Sequence, residues 1–176
     1  MPSRYTFEPY SADWPRQFER EAEKLRELLG AELVAIHHIG STAVPGLAAK
    51  PIIDCLPIVR QIEQVDSLTA AFTAAGYRAW GEYGLAGRRY FTKDDTTGTR
   101  THNVHIYGEG NAEIARHFAF RDYLRAHPDI CRQYEVIKRR AYARFPDDID
   151  QYNDAKDAWI KRVEREAIAW CKERAW

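Results

Sequence analysis

The sequence predicts an α/β (α+β) fold: a mixed sheet within residues 31–107 packed with helices, followed by a C-terminal helical layer over 111–176. Three observations carry that expectation. The run Pro51-Ile52-Ile53-Asp54-Cys55-Leu56-Pro57-Ile58-Val59 is apolar on both faces, as a central, doubly covered strand is. Three shorter strand candidates, Tyr77–Trp80, Arg88–Thr92 and Thr101–Tyr107, follow in close succession, separated by Gly- or Asp/Thr-rich turns. From Asn111 onward, apolar residues recur only at helical spacing.

Taken in order, residues 1–14 form an extended lead-in ending at Asp13-Trp14-Pro15, a helix start that tolerates Pro in its first turn. Phe18, Ala22, Leu25 and Leu29 then share one helical face, and Gly30 supplies the stop. Leu33–Ile36 is a short strand running into His37-His38-Ile39-Gly40-Ser41. The prolines at 51 and 57 are expected to limit the ends of the next strand. Residues 61–75 form an Ala-rich helix stopped by Gly76. Ile130, Tyr134, Ile137, Ala141 and Phe145 mark one later helix face; Tyr152, Ala155, Trp159, Val163, Ala167 and Trp170 mark another. The length of 176 residues fits one nucleus of this kind, so residues 1–176 are expected to form a single domain.

Charge narrows the function classes. Lys and Arg number 26, as do Asp and Glu, so the net charge is zero and the basic excess of a dedicated duplex-DNA binder is missing. The basic segment Arg132–Arg144 fits a charge-balanced helix better than a nucleic-acid surface, and the alternating charges at Glu164-Arg165-Glu166 and in residues 19–27 read as solvated helix surface. No apolar run reaches the roughly 18 residues that span a bilayer, so no membrane association is expected. Three cysteines, Cys55, Cys131 and Cys171, form no CxxC pair and point to a reducing cytoplasm.

Chemistry concentrates at Gly40-Ser41, directly after a strand, and at Asp54 in the next strand. A Gly-Ser turn offers close backbone approach, free N–H groups and a hydroxyl, which together hold a phosphate. A carboxylate beside it can bind Mg2+ together with phosphate oxygens. An acid in so apolar a strand is costly without a partner, which implies Lys50, an arginine or a metal. On the strand that follows, parity places Thr101, Asn103, His105 and Tyr107 on one polar face and His102, Val104 and Ile106 on an apolar one. His105 is therefore the site candidate and His102 a hydrogen-bonded core residue; His37 and His38 point to opposite faces. Arg121 and Arg125 share a helical face, and Arg121 can serve an anion or pair with Asp122 or Asp54. Lys138 follows Tyr134 by four and Lys156 follows Tyr152 by four, so each borders an apolar stripe, from which a lysine can also snorkel to solvent.

The run from His38 to Asp54, HIGSTAVPGLAAKPIID, closely resembles the signature of the GrpB-like family. So do Arg88-Arg89-Tyr90-Phe91, Thr101-His102-Asn103-Val104-His105, the block Phe120–Pro128 and Tyr152-Asn153-Asp154-Ala155-Lys156, in family order over nearly the whole chain. The resemblance implies a nucleotidyltransferase-like mixed sheet whose Gly-Ser turn holds a nucleotide phosphate and whose carboxylates hold divalent metal. Carried onto this chain, Asp54 and His105 become the catalytic residues and metal ligands. Gly40, Ser41, Thr42, Lys50, Arg88, Arg121, Lys138 and Lys156 become the phosphate-binding set. The implied cofactors are Mg2+ and a nucleoside triphosphate, ATP first, with transfer to a small polar acceptor. Two departures stand out: Asp54-Cys55-Leu56 replaces the superfamily's Asp-x-Asp pair, and Asn103 lies where a third carboxylate is expected. They leave open a silent protein that binds a small anionic ligand, or an enzyme acting on a small metabolite without nucleotide.

Overall fold

A computed structural model describes residues 5–174, which leaves residues 1–4 of the expected extended lead-in, and the last two residues of the helical layer, outside the described residues. Helix α1 spans Trp14–Leu29, strand β1 Leu33–Ile39, and strand β2 Ile53–Val59. Helix α2 (Gln64–Ala74) precedes strands β3 (Tyr77–Ala79), β4 (Arg88–Asp94) and β5 (Arg100–Gly108). Helices α3 (Ala112–Ala126), α4 (Pro128–Arg144) and α5 (Ile149–Arg174) complete the chain. None of the described helices is long and apolar enough to cross a membrane.

The five strands form one mixed sheet in the order β1-β2-β5-β4-β3. Only β2 and β5 are parallel, a pairing that the intervening hairpin and helix make possible; β1–β2, β5–β4 and β4–β3 are antiparallel. Central strand β2 is apolar on both sides because both are covered. Ile53, Cys55 and Val59 pack under α1 and α2 in the main core with Phe18, Leu25, Phe72, Phe91, Val104 and Ile106. On the opposite side Leu56 packs with Ile39 and Tyr107 beneath Ile114 and Phe118 of α3. A third cluster, including Leu47, Leu124, Tyr134 and Trp159, joins α3, α4 and α5.

Two details depart from the sequence expectation. Pro57 lies inside β2 and does not end it; it faces Ile36 of β1, while the pairing with β5 passes from Cys55–Val104 to Ile58–Tyr107. The missing N–H thus falls where the parallel ladder is interrupted. Glu21, expected on solvated helix surface, is 2% exposed. It accepts hydrogen bonds from Tyr77 Oη (2.5 Å) and Lys93 Nζ (2.8 Å), and it pairs with Lys24 at 3.0 Å. His102 faces this side of the sheet, 3.9 Å from Glu21, as parity required.

Burial alone would raise the Glu21 pKa, but the bonds from Lys93 and Tyr77, with His102 and Lys24 beside them, pull it down to about 2. A carboxyl depressed on folding contributes stability above its unfolded pKa and loses it as pH falls through the folded value. Glu21→Gln should therefore lower stability at pH 7 by on the order of 3 kcal/mol. It should also flatten the stability–pH curve between about pH 5 and pH 2, measured by urea unfolding across that range.

Candidate functional site

A cavity of about 350 Å³ opens on the α3 side of the sheet, between the ends of β1, β2 and β5 and the facing sides of α3, α4 and α5. Gly40, Ser41 and Thr42 form one wall, Asp54, Asn103 and His105 the floor, and Lys50, Lys138 and Lys156 a further wall. The wall at Gly40 is built by close approach. Gly40 has φ +73°, and a Cβ there would stand 2.5 Å from Asp54 Oδ2. Only glycine supplies both that backbone conformation and that space. The turn is then closed by Ala43 N donating to Gly40 O and Val44 N donating to Ser41 O.

Arg121 and Arg125 of α3 grip this turn from outside. Arg121 donates to His38 O at 3.0 Å and pairs with Asp122, while Arg125 Nε and Nη2 donate to Ala43 O at 3.0 and 2.6 Å. Arg121 therefore does not reach the cavity, and of its expected alternatives the Asp122 pair is the one realised. Thr42 lines the cavity, but its hydroxyl is committed to His38 Nε2 (2.9 Å) and Ile52 O (3.4 Å). Arg88 also stays outside: it donates to Glu82 O and Tyr83 O and approaches His105 Nδ1 at 3.4 Å.

Asp54 projects from β2 with its side chain 24% exposed. Its Oδ1 accepts from Asn103 Nδ2 at 3.0 Å and meets His105 Nε2 at 3.3 Å. Burial pushes this carboxyl upward, but the His105 and Asn103 contacts and the charge of Lys50 outweigh it and hold the pKa below the usual carboxylate value. Because a guanidinium can only donate, Arg88 assigns Nδ1 of His105 as acceptor and Nε2–H as the donor to Asp54. Both ring nitrogens are then engaged, and His105 retains no free basic nitrogen. Asn103 is fixed in turn by Tyr90 Oη, which donates to its Oδ1 at 2.9 Å.

The lysine wall has the opposite character. Lys138 is 2% exposed, and its Nζ has no hydrogen-bond partner. Lys156 is 7% exposed and donates to Asn153 Oδ1 at 3.3 Å. Neither these two nor Lys50 forms a salt bridge among the described residues. Their ammonium groups lie instead over tyrosines: Lys50 and Lys156 at 4.9 and 4.0 Å from the Tyr152 ring, Lys138 at 4.8 Å from Tyr134. Burial lowers the Lys156 pKa to about 7, helped by repulsion from Lys50; burial also lowers Lys50 to about 8. Burial and the charges of Lys156 and Lys50 push Lys138 well below the ordinary lysine value. Contrary to the snorkelling alternative, neither helix lysine escapes to solvent, while Ala155, expected on the buried stripe of α5, is exposed.

Several contributors have weak or no signals in the sequence. Tyr5 and Phe7 reach over the lysine wall, with the Tyr5 hydroxyl donating to Phe145 O at 2.5 Å. Arg116 and Glu164 line the cavity as an ion pair, with Glu113 as a second partner. His117 sits beside His105, and burial with the neighbouring Arg116 and His105 lowers its pKa to about 3.

The donor set does not supply a bridged pair of Mg2+ ions, and the expected Mg2+ ligands Asp54 and His105 offer one carboxylate and an imidazole whose two nitrogens are both engaged. Asp54 is the only acid not already paired with a cation on the cavity floor, and Leu56 is buried against Ile39 and Tyr107. Among the described residues no group of three His, Cys, Asp or Glu side chains is placed to hold a metal. A bridged two-ion site needs more carboxylates than this. What converges is one carboxylate and three amines without a salt-bridge partner among the described residues, a set suited to an anion.

Comparison with known proteins agrees with the fold. The sequence model described as GrpB protein matches residues 5–166. UPF0157 protein YqkA of Bacillus subtilis is 50% identical over 165 residues, covering 94% of this chain and 48% of that protein, so the chain spans about half the length of this relative. The crystal structure of conserved protein GrpB from Enterococcus faecalis superposes with a TM-score of 0.89 at 48% identity, over 93% of this chain and 98% of that one. Cid1 in complex with the UTP analogue UMPNPP matches with a TM-score of 0.52 at 13% identity, over 78% of this chain and 43% of that one, a likeness of fold.

Two outcomes follow from the site's geometry. Gly40→Ala forces a Cβ against Asp54 at positive φ and should cost roughly 1–3 kcal/mol, read as a lowered melting temperature. Anion affinity should also fall as pH rises, because Lys156 and Lys50, with pKa values of about 7 and 8, lose the charge that attracts the anion. Sulfate, whose own charge is constant from pH 6 to 9, is the clean probe by calorimetry. Its affinity should drop by up to about tenfold per pH unit for each lysine that must be charged.

Proposed function

The chain belongs to the GrpB protein family, and from that premise we propose that it binds the phosphate groups of a nucleotide, or of a similar phosphorylated small molecule, in the lysine-walled cavity of its nucleotidyltransferase-like fold. Lys138 carries the reading. A buried amine with no protein partner, beside two further lysines, is costly unless a ligand completes it. The Gly40-Ser41 turn lines the same cavity as the lysines and offers backbone N–H groups to the same anion. In this reading the lysines neutralise the phosphate charge, and ATP is the first ligand to test. The three cysteines are unpaired, which fits a reducing cytoplasm as the place of action.

The second reading is nucleotidyl transfer to a small polar acceptor, and the ionised state of Asp54 favours it. An acceptor hydroxyl attacks the α-phosphorus, its proton passes to Asp54, the bond to the bridging oxygen breaks, and pyrophosphate leaves toward the lysines. His105 serves here by orienting Asp54, since both of its nitrogens are engaged. Dependence on Mg2+ is the finer form of this reading and is decided by the same experiment.

Thermal melts of the purified protein with ATP, GTP, CTP, UTP and tripolyphosphate, each with Mg2+ and with EDTA, test both readings. A ligand at a hundred times its Kd should add about 2.7 kcal/mol, a shift of several degrees, and the shift should persist in EDTA. No shift with any phosphate compound would sink the proposal; a shift only with Mg2+ would move it to the metal-dependent transferase. Lys138→Met separates function from stability. Removing the unpaired amine should raise the ligand-free melting temperature by a few degrees, equivalent to about 1–3 kcal/mol, while abolishing most of the ligand-induced shift.

A further inference from the structure

Two large aromatic side chains are exposed side by side on the sheet's β3–β4 end: Trp80 at 38% and Tyr83 at 62%, with ring centroids 5.5 Å apart. Tyr83 stacks on Tyr90 at 5.4 Å with planes 24° apart, and Tyr90 lies 5.1 Å from the ring of His105. A continuous ladder of rings therefore runs from the cavity floor to solvent. We infer that its outer end, Tyr83 with Trp80, is the stacking ledge for the nucleobase of a nucleoside polyphosphate whose phosphates occupy the lysine-walled cavity. This deepens the phosphate-binding reading and rests on it.

The ledge is held as a binding surface is held. The Trp80 indole N–H donates to Thr92 Oγ1 at 2.9 Å, and Tyr90 Oη is fixed on Asn103, the residue that also positions Asp54. Arg88 fixes the loop by donating to the carbonyls of Glu82 and Tyr83 at 3.1 and 2.7 Å. Tyr83 has φ +45°, the only positive value at a non-glycine among the described residues, so the ring's position is maintained against backbone preference. A large aromatic kept exposed in such a backbone has no packing role that a smaller residue could not fill.

Charge and reach select the occupant. Arg78 lies over Trp80 at 5.6 Å and Arg88 over Tyr90 at 4.7 Å, so the ladder is edged with cations and suits a π-ring attached to an anion. The ladder's inner ring, His105, lines the same cavity as the lysines, so the rings lead from the proposed phosphate site to the exposed ledge. Exposed ring faces stack any base and favour the larger purines.

The test is calorimetric titration in EDTA of the wild-type chain, Tyr83→Ala and Tyr83→Trp with ATP and with ringless tripolyphosphate. Wild type should bind ATP about tenfold or more tightly than tripolyphosphate; Tyr83→Ala should erase that advantage and Tyr83→Trp retain it. Tripolyphosphate bound as tightly as ATP would overturn the ledge and leave the phosphate reading standing. Binding of neither would overturn both. Loss of tripolyphosphate affinity in Tyr83→Ala would show that the loop shapes the cavity and stacks no base, and so would overturn the inference. A short oligoribonucleotide that binds where ATP does not would overturn it in favour of a nucleic-acid surface.

Discussion

The Asp54 carboxylate is the constraint around which the site is arranged. It stands in β2, an interior strand of the sheet, on a segment otherwise apolar on both faces, and each neighbour answers a need that it creates. Gly40 has no side chain because Oδ2 occupies the place of its Cβ. Asn103, directly opposite Asp54 in the parallel register, turns its amide toward Oδ1, and His105 two residues on adds a second donor. Arg121 and Arg125 then pin the chain on either side of Gly40, so α3 cannot drift without opening the turn. The carboxylate, the turn and α3 thus form one mechanical unit.

Charge is distributed unevenly across the cavity. Asn103 lies beside Asp54 and Leu56 is buried, while positive charge comes from lysines on α4, α5 and the segment after the turn. Further carboxylates beside these lysines would form internal ion pairs, as Glu113 and Glu164 do with Arg116. The arrangement found leaves three amines with no salt-bridge partner among the described residues.

Much of this was legible in the sequence, for reasons that can be named. Apolar runs marked β2, α1 and the helical layer because burial imposes periodicity directly. Strand parity separated His105 from His102 correctly, since a sheet offers only two faces. The repeated Tyr-x-x-x-Lys spacing on α4 and α5 marked both cavity lysines, yet not their burial, which depends on Tyr5 and Phe7 arriving from the other end of the chain. Arg88 and Arg121 misled because arginine is chosen for backbone carbonyls as readily as for phosphates, and residue type alone does not say which. Glu21 misled for a related reason: its partners Tyr77 and Lys93 come from strands far along the chain, so only the tertiary fold makes its burial tolerable.

The energetic asymmetry between the two sides of the sheet bears on function. Under α1 and α2, the one buried acid is fully answered by Tyr77, Lys93 and Lys24, and the rest of that core is apolar. Under α3, α4 and α5, by contrast, buried amines lie near one another with no salt-bridge partner, and their lowered pKa values record their burial first and their mutual repulsion second. A chain selected only for stability would replace Lys138 by an apolar residue of similar length, since its neighbours Tyr134 and Phe7 already supply an apolar lining. The fold therefore tolerates local instability on one side of the sheet and draws its cohesion from the other. Such a division leaves the amine-lined cavity on the less stable side of the sheet, where the proposed anion site lies.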